Sequence, residues 1–212
     1  MTAGATATAA PAEAKISRRD VRERLRRDRE RLRTHYSAYG LPQPLILALH
    51  PSYLCVSLHR WSAYNFRQGH RLLARLLWHI NLIATGADLS VNSEIGPGLI
   101  IVHPITTQVF GRIGANCTIW GHGGIGGGVS IEDIGAGPGL PIVGDNVIFG
   151  ARSMVLGPVR IGDNCVLEPG AIATRDIPSG SIVTAVQSRK FGARSAPEHP
   201  TERTGSDQPA SS

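Results

Sequence analysis

Asp88 and His103 are the two residues of this chain whose types and spacing best fit acid–base chemistry. They lie fifteen positions apart in the sequence. A carboxylate that holds one ring nitrogen of a histidine fixes the tautomer and raises the basicity of the imidazole, which can then take a proton from a hydroxyl group. Spacing alone is weak evidence for such a dyad. The chemistry therefore depends on whether the surrounding chain brings the two side chains together.

The chain from Leu89 to Ala173 carries a repeat of six residues. Reading by sixes from Leu89 gives a large apolar residue at twelve of fifteen positions, and the exceptions are Thr107, Gly137 and Ala173. A helix repeats at about 3.6 residues and a two-faced strand at 2, so a period of six predicts short strands wound into a coil. Gly after the apolar residue and Asn at several corners suit the backbone angles of tight corners. We therefore predict a left-handed parallel β-helix with eighteen residues per coil.

The predicted coil explains how Asp88 and His103 could lie close together in space. Fifteen residues is three short of a full coil, so the two residues would lie in adjacent coils and meet near one corner. Between Ile131 and Val143 the repeat weakens into a segment rich in Gly and Pro, which predicts a loop that projects from a corner. Because this segment adds twelve residues, or two sixes, the register of the repeat survives it.

The repeat divides the chain into four parts. We expect a disordered leader at residues 1–15, an α-helical region at 16–86, the β-helix at 87–186 and a disordered tail at 187–212. The fold class is thus an all-β solenoid with an N-terminal α-helical cap and disordered termini.

Turn and cap signals divide the helical region. Ser17 and Asp20 form a variant of the capping box that begins a first helix, and Gly40 with Pro42 ends it. A second helical stretch, residues 44–86, is interrupted at His50-Pro51 and near Gly69.

One face of the second helical stretch is broadly apolar. It is formed by Leu72, Leu73, Leu76, Leu77, Ile80 and Ile83. We expect this face to dock on the end of the β-helix or on another subunit, and contact with a membrane interface is the alternative.

The positive charge of the chain belongs to its first helix. The net charge is +6, and residues 15–33 hold ten Lys or Arg and four Asp or Glu, so the rest of the chain is neutral overall. A solvated helix face is the simplest interpretation of these arginines, and binding to a polyanion or an acidic membrane surface is the alternative. No nucleic-acid partner is expected.

The spacing of the cysteines and the length of the apolar runs help to predict the cellular compartment. Cys55, Cys117 and Cys165 have no metal-ligand spacing, and two of them fall at small inward positions of the coil, which favours buried thiols that pack as small hydrophobes. No signal peptide and no run of eighteen apolar residues is evident, so we expect a cytoplasmic protein.

Several phrases of the sequence resemble one family. Residues 87–104, A-D-L-S-V-N-S-E-I-G-P-G-L-I-I-V-H-P, are followed by I-G-A-N-C-T-I-W-G-H-G-G-I-G-G-G and V-G-D-N-V-I-F-G-A. Together with H-P-S-Y-L-C-V-S-L-H-R, they are similar to the serine acetyltransferase branch of the hexapeptide-repeat acyltransferases over roughly residues 50–186. In that family an aspartate just before the coil and a histidine fifteen residues later form the dyad, and Asp88 and His103 match both types and the spacing.

The resemblance implies further residues and partners. It implies acetyl-CoA as co-substrate with no metal, and a homotrimer. Whether trimers pair through the helical region is left open by the sequence. The Gly-rich run, with Gly126, Gly127 and Gly128, corresponds to the segment that lies against the pantetheine arm of the coenzyme, and Ala151 and Arg189 are further candidates for coenzyme contact. Gly126 would also be explained by a tight coil corner, so Gly127 and Gly128 are the more informative of the three.

The chain also departs from the family pattern around the acceptor. The family has an aspartate where this chain has Val102, and an Arg-His pair where it has Gly139 and Leu140. The closing phrase appears as A-V-Q-S-R, residues 185–189. Loss of three polar groups favours a more apolar acceptor site, with Val102 and Leu140 among its residues, so the acceptor is either L-serine or another alcohol such as a sugar or a biosynthetic intermediate.

His122 is the remaining candidate for the acceptor site. A corner or surface histidine is the simpler interpretation, and a contact with the acceptor is the alternative. Two other function classes are weaker. A zinc-dependent carbonic anhydrase on the same coil would need a third histidine, and a trimeric scaffold without catalysis would leave Asp88 and His103 unexplained.

Overall fold

The computed structural model describes residues 16–37 and 49–185. The predicted leader at 1–15, the predicted tail at 187–212, and residues 40 to 48 at the junction of the two helical stretches lie outside these ranges. Arg189, predicted to contact the coenzyme, also lies outside them.

The described part of the N-terminal region contains three helices that the structure delimits. They are α1 (Arg18–Ser37), α2 (Pro51–Arg67) and α3 (Arg71–Thr85). The Ser17 hydroxyl accepts a hydrogen bond from the backbone N–H of Asp20 at 3.2 Å, and the Asp20 carboxylate accepts one from the backbone N–H of Ser17 at 2.8 Å, as the capping-box signal predicted. Gly69, with φ +86°, separates α2 from α3, and Gly86 ends α3 in the left-handed conformation at φ +73°.

Fourteen short strands among the described residues form the left-handed parallel β-helix. They are β1 (Asp88–Leu89), β2 (Glu94–Ile95), β3 (Ile100–Ile101), β4 (Gln108–Val109), β5 (Arg112–Ile113), β6 (Thr118–Ile119), β7 (Gly124–Gly126), β8 (Ile142–Val143), β9 (Ile148–Phe149), β10 (Met154–Leu156), β11 (Arg160–Ile161), β12 (Val166–Leu167), β13 (Ile172–Ala173) and β14 (Ile182–Val183). Every pairing between them is parallel, and they stack into three sheets. Sheet A has the order β1-β4-β7-β10-β13, sheet B β11-β8-β5-β2, and sheet C β14-β12-β9-β6-β3.

One inward residue from each strand fills the core of the coil. Sheet A contributes Leu89, Val109, Ile125, Val155 and Ala173, all at most 3% exposed. The three cysteines are free thiols within the same core, as predicted. Burial raises the pKa of Cys55 to about 12.

The repeat of six is broken at two places. The sequence pattern placed Thr107 at an inward strand position, but the inward residue of β4 is Val109, because the corner before β4 is long and the one between Val109 and Ile113 is short. The second break is residues 127–141, which lie between β7 and β8 and begin four residues before the loop predicted between Ile131 and Val143. Ile125 and Val143 are therefore eighteen positions apart where six would normally separate successive strands.

The helical cap docks on the coil through a buried polar network. The Asp28 carboxylate, 2% exposed, accepts hydrogen bonds from two guanidinium nitrogens of Arg60 at 3.0 and 3.1 Å and from the backbone N–H of Gly98 at 2.6 Å. Arg31 donates to the carbonyls of Gly98 and Cys117. The expectation that the arginines of α1 form only a solvated face is therefore wrong for Arg31, which fastens the helix to the coil.

The broad apolar face of α3 is exposed in the single chain. Leu72 and Ile83 are 89% and 84% exposed, and Leu73, Leu76 and Ile80 are also exposed. The face therefore does not dock on the end of its own β-helix. None of the helices in the described ranges has the length and apolar character needed to cross a membrane.

Candidate functional site

The corner that joins sheet C to sheet A, here called the C–A corner, brings Asp88 and His103 into adjacent coils. The backbone N–H of Thr106 donates to the Gly86 carbonyl, and that of Asp88 donates to the Thr107 carbonyl, both at 2.9 Å. His103 begins the same corner segment, and the Thr107 hydroxyl donates to its carbonyl at 3.3 Å. The two predicted residues thus lie at one corner, one coil apart.

The Asp88 carboxylate is held from the helical cap. The indole N–H of Trp78, on α3, donates to Asp88 Oδ1 at 2.9 Å. Within residues 16–37 and 49–185, no hydrogen bond or ion pair joins the Asp88 and His103 side chains. A carboxylate has two oxygens, so the bond from Trp78 leaves Oδ2 to accept one from an imidazole.

His103 is exposed and lies directly against the next coil. A Cβ on Gly121 would meet the His103 Cβ at 2.8 Å and its carbonyl oxygen at 2.7 Å, and Gly121 has φ +127°. Glycine is therefore required there both by its backbone angle and by the close approach of His103.

His50, the residue just before α2, lies near His103. Burial lowers the pKa of His50, and the charge of His103 lowers it further. The His50 ring packs on Tyr36 with centroids 4.6 Å apart. The C–A corner is thus flanked by aromatic side chains of the helical cap.

His122 lies at the C–A corner one coil beyond His103. Its φ of +55° is that of a tight corner, and its Nδ1 is 2.8 Å from the Thr106 hydroxyl oxygen. This position agrees with the simpler interpretation of a corner histidine. It also leaves the exposed ring on the same corner as His103, so a contact with the acceptor remains a prediction.

Val102 and Leu140 occupy different surroundings. Val102 is 8% exposed and packs with Leu32 and Ile100 under α1, so only a small part of its side chain is open to a ligand. Leu140 is half-buried within the loop 127–141, where its Cδ2 would lie 3.8 Å from a Cβ on Gly127. The structure therefore does not bring these two side chains together.

The Gly-rich run divides into two kinds of glycine. A Cβ on Gly128 would meet the Gly157 Cα at 2.9 Å, whereas on Gly126 and Gly127 it would meet nothing closer than 4.0 and 3.8 Å. Gly126 is in strand β7 rather than at a corner, so the explanation of Gly126 by a tight corner is wrong. The single chain therefore gives no steric reason for glycine at 126 and 127. Ala151, on the C–A corner, is exposed.

Comparison with known proteins adds to this geometry. Residues 141–175 match the family model described as bacterial transferase hexapeptide (six repeats). A serine acetyltransferase of Mycobacterium tuberculosis is 33% identical over 150 residues, which cover 69% of this chain and 63% of the relative. One of Synechococcus elongatus is 28% identical over 149 residues, covering 68% and 58%. The chain is thus similar to serine acetyltransferases and carries a hexapeptide-repeat segment.

A solved structure supports the same fold for this serine acetyltransferase-like chain. The soybean serine acetyltransferase complexed with serine superposes with a TM-score of 0.69 at 25% identity, over 80% of this chain and 68% of that one. The chain spans less than two thirds of the length of the first curated relatives it matches.

Sequence reasoning missed Trp78, His50 and Gly121 around the candidate dyad. Trp78 and His50 belong to the helical cap, and the six-residue repeat does not specify how that cap packs against the coil. Gly121 could have been found, because it follows the inward Ile119 by two residues in the coil after that of His103.

Proposed function

We propose that this protein is an acetyl-CoA-dependent O-acetyltransferase of the serine acetyltransferase type. The observation that carries the proposal is the position of Asp88 and His103 at one corner of adjacent coils, in a chain similar to serine acetyltransferases. An aspartate beside a histidine is the arrangement that prepares an imidazole to act as a general base.

His103 takes the proton of the acceptor hydroxyl as its oxygen attacks the thioester carbonyl. Asp88 orients the imidazole through the carboxylate oxygen that Trp78 does not use, and Trp78 fixes the carboxylate itself. The tetrahedral oxyanion is stabilised by a backbone N–H donor. Collapse of this intermediate expels the coenzyme thiolate, which takes the proton from the imidazolium, and leaves the acetyl ester.

The pantetheine arm of acetyl-CoA lies over Gly126 and Gly127 in this proposal. Within the Gly-rich run these are the two glycines where a Cβ would fit, so contact with a molecule from outside the chain accounts for glycine at both positions. Gly128 supports the same turn through its contact with Gly157. Ala151 and Arg189 complete the proposed coenzyme contacts.

We propose a homotrimer, with the coenzyme groove between neighbouring coils. The uncovered apolar face of α3 is available for pairing of trimers. Three free buried thiols fit a reducing compartment, so we propose the cytoplasm.

The acceptor is L-serine or, as the second candidate, another small alcohol. The soybean serine acetyltransferase was solved in complex with serine, which supports the first candidate. The observation that favours another alcohol is the apolar Leu140 in the loop 127–141, where the family pattern has a polar residue. Thiol release from acetyl-CoA, measured with serine, other amino acids, sugars and hydroxy acids, separates the two candidates.

Replacement of His103 tests the proposed chemistry. We expect H103A to reduce turnover by about 10²- to 10⁴-fold, the usual contribution of a general base. The matched control is H79A, which removes an exposed histidine of α3. A folded H103A protein with the turnover of H79A would contradict the assignment.

A further inference from the structure

The non-glycine residues with a positive φ in the described part of the chain lie at two corners of the coil. The corner that joins sheet B to sheet C uses asparagine each time, with φ of +57° at Asn116, Asn146 and Asn164. The C–A corner instead uses Thr106, His122 and Arg152, with φ of +56°, +55° and +61°. Asparagine adopts this left-handed conformation more readily than most residues that carry a Cβ. The C–A corner therefore carries backbone strain that asparagine or glycine would avoid.

These three residues of the C–A corner form a column, with one residue in each of three successive coils. The Thr106 hydroxyl oxygen is 2.8 Å from His122 Nδ1, and the backbone N–H of Arg152 donates to the Gly121 carbonyl at 2.9 Å. His103, the candidate general base, is in the same coil as Thr106. Because neighbouring parallel strands are about 4.8 Å apart, Arg152 lies two coils, or about 10 Å, along the edge from His103.

The Arg152 guanidinium is the unpaired group of this column. It is exposed and has no ion pair or side-chain hydrogen bond with the other residues that the structure describes, whereas Thr106 and His122 bond to each other. The three coils contribute no Asp or Glu to this corner, at residues 102–107, 120–123 and 150–153. A residue held in a strained conformation points to a function. A ligand that pairs with the guanidinium would account for arginine at a position that asparagine fills elsewhere.

The coils place the proposed coenzyme contacts in a fixed order along the axis. His103 lies in one coil, Gly126 in the next and Arg152 in the one after, because β7 pairs with β4 on one side and with β10 on the other. Acetyl-CoA has its groups in a matching order, which is the thioester, the pantetheine arm and then the phosphates. With the thioester at His103 and the arm over Gly126, the phosphates fall on the side of Arg152. Guanidinium groups bind phosphate through paired, charge-assisted hydrogen bonds.

We propose that Arg152 binds a phosphate group of the acyl donor, and that the strained corner at this position is retained for that contact. This contact rests on the proposed function, which supplies acetyl-CoA as the donor. It is distant from the thioester, so its loss should affect binding of the donor and not the chemical step.

Titration calorimetry of the full chain with coenzyme A tests the contact without turnover. We expect R152N to weaken binding at least about tenfold, because hydrogen bonds between charged groups are lost. Asparagine suits the left-handed corner, so R152N should be at least as stable as the wild type in urea unfolding. R152K keeps the positive charge and should recover part of the affinity. Dephospho-coenzyme A, which lacks the 3′-phosphate, identifies the phosphate: its affinity falls in R152N if Arg152 binds the pyrophosphate and is unchanged if it binds the 3′-phosphate.

R175N is the matched control. It makes the same change at an exposed arginine one coil further, at the corner between sheets A and B, and should alter the affinity for coenzyme A less than twofold. In turnover, R152N should raise the KM for acetyl-CoA and retain kcat, and a rise confined to the KM of the acceptor would overturn the proposal.

The outcomes separate this contact from the proposed function. Equal weakening by R152N and R175N, or no weakening by R152N, would remove the role of Arg152 and leave the proposed acetyl transfer intact. If the wild-type chain does not bind coenzyme A, the proposed function and the phosphate contact are both wrong.

Discussion

Replacing Gly121 by alanine should reduce the activity of the candidate dyad although neither Asp88 nor His103 is itself replaced. The new Cβ would lie 2.8 Å from the His103 Cβ and 2.7 Å from its carbonyl oxygen. Carbon atoms in contact are normally about 3.5–4.0 Å apart. His103 must therefore move by roughly 1 Å, since the other side of the contact is backbone of the next coil.

A shift of this size should lower the rate much more than the stability. Misplacement of a catalytic group by about 1 Å costs on the order of 100-fold in rate, so we expect kcat/KM for thiol release from acetyl-CoA to fall about 100-fold in G121A. The strained backbone at φ +127° adds about 1–3 kcal/mol of destabilisation. Urea unfolding measures this loss and shows that the variant is still folded.

G69A is the matched control for backbone strain. Gly69 also has a positive φ, +86°, but a Cβ there would meet nothing within 4 Å. We expect G69A to lose stability while keeping the wild-type kcat. If folded G121A turns over within threefold of G69A, the contact with Gly121 does not position His103, and the reasoning fails.

Three further predictions concern buried groups. D28A should destabilise the fold by about 3–5 kcal/mol in urea unfolding, because it leaves the Arg60 guanidinium buried without its carboxylate, whereas E30A, on the exposed face of α1, should change stability by less than about 1 kcal/mol. The pKa of His59 is about 3 in the folded chain and near 6.5 in the unfolded chain. Between these two pH values the ring is protonated in the unfolded chain and neutral in the folded chain. Stability should then fall by up to about 1.4 kcal/mol per pH unit from this group as pH decreases below 6.5, and H59Q should show a shallower decrease. Cys55, with a pKa of about 12 and no exposed surface, should not react with an aromatic disulfide reagent at pH 8 until denaturant is added.

The sequence predicted the coil because each strand must bury one side chain in the same narrow core. That requirement repeats at every side of the prism, so Leu89, Ile113 and Val143 could be assigned to the core from the repeat alone. Thr107 falls on the six-residue count but is not the inward residue of its strand, since a long corner and a short corner compensate each other and leave the period intact on both sides. The six-residue period therefore depends on the summed length of the two corners and does not show the length of each one.

The docking of α1 was not predictable by the same means. A helix with ten basic residues in and around it resembles a solvated helix, and its apolar stripe is narrow. The coil, however, presents unpaired carbonyls where α1 and α2 approach, and buried carbonyls need donors. Arg31 and Arg60 supply them, and Asp28 is retained because it neutralises Arg60 and accepts from Gly98.

The two parts of the candidate site differ in how they depend on the fold. Asp88 and His103 could be paired from sequence because both are counted along one coil. Trp78 and His50 reach the C–A corner from the helical cap, so their positions follow from the docking of that cap and not from the repeat. A change that loosens the cap should therefore affect the Asp88 carboxylate through Trp78 while leaving the backbone of the corner in place.

The packing of a single chain does not explain why residues 126 and 127 are glycine. Gly121 and Gly128 are accounted for by their neighbours, because a Cβ at either would press on His103 or on Gly157. At 126 and 127 a Cβ would fit, and neither backbone is in the left-handed region. Glycine costs about 0.5–1 kcal/mol relative to alanine through its unfolded-state entropy, so G126A and G127A should be stable or slightly stabilised as single chains. If the same variants raise the KM for acetyl-CoA while kcat is retained, the group that requires glycine there is the coenzyme.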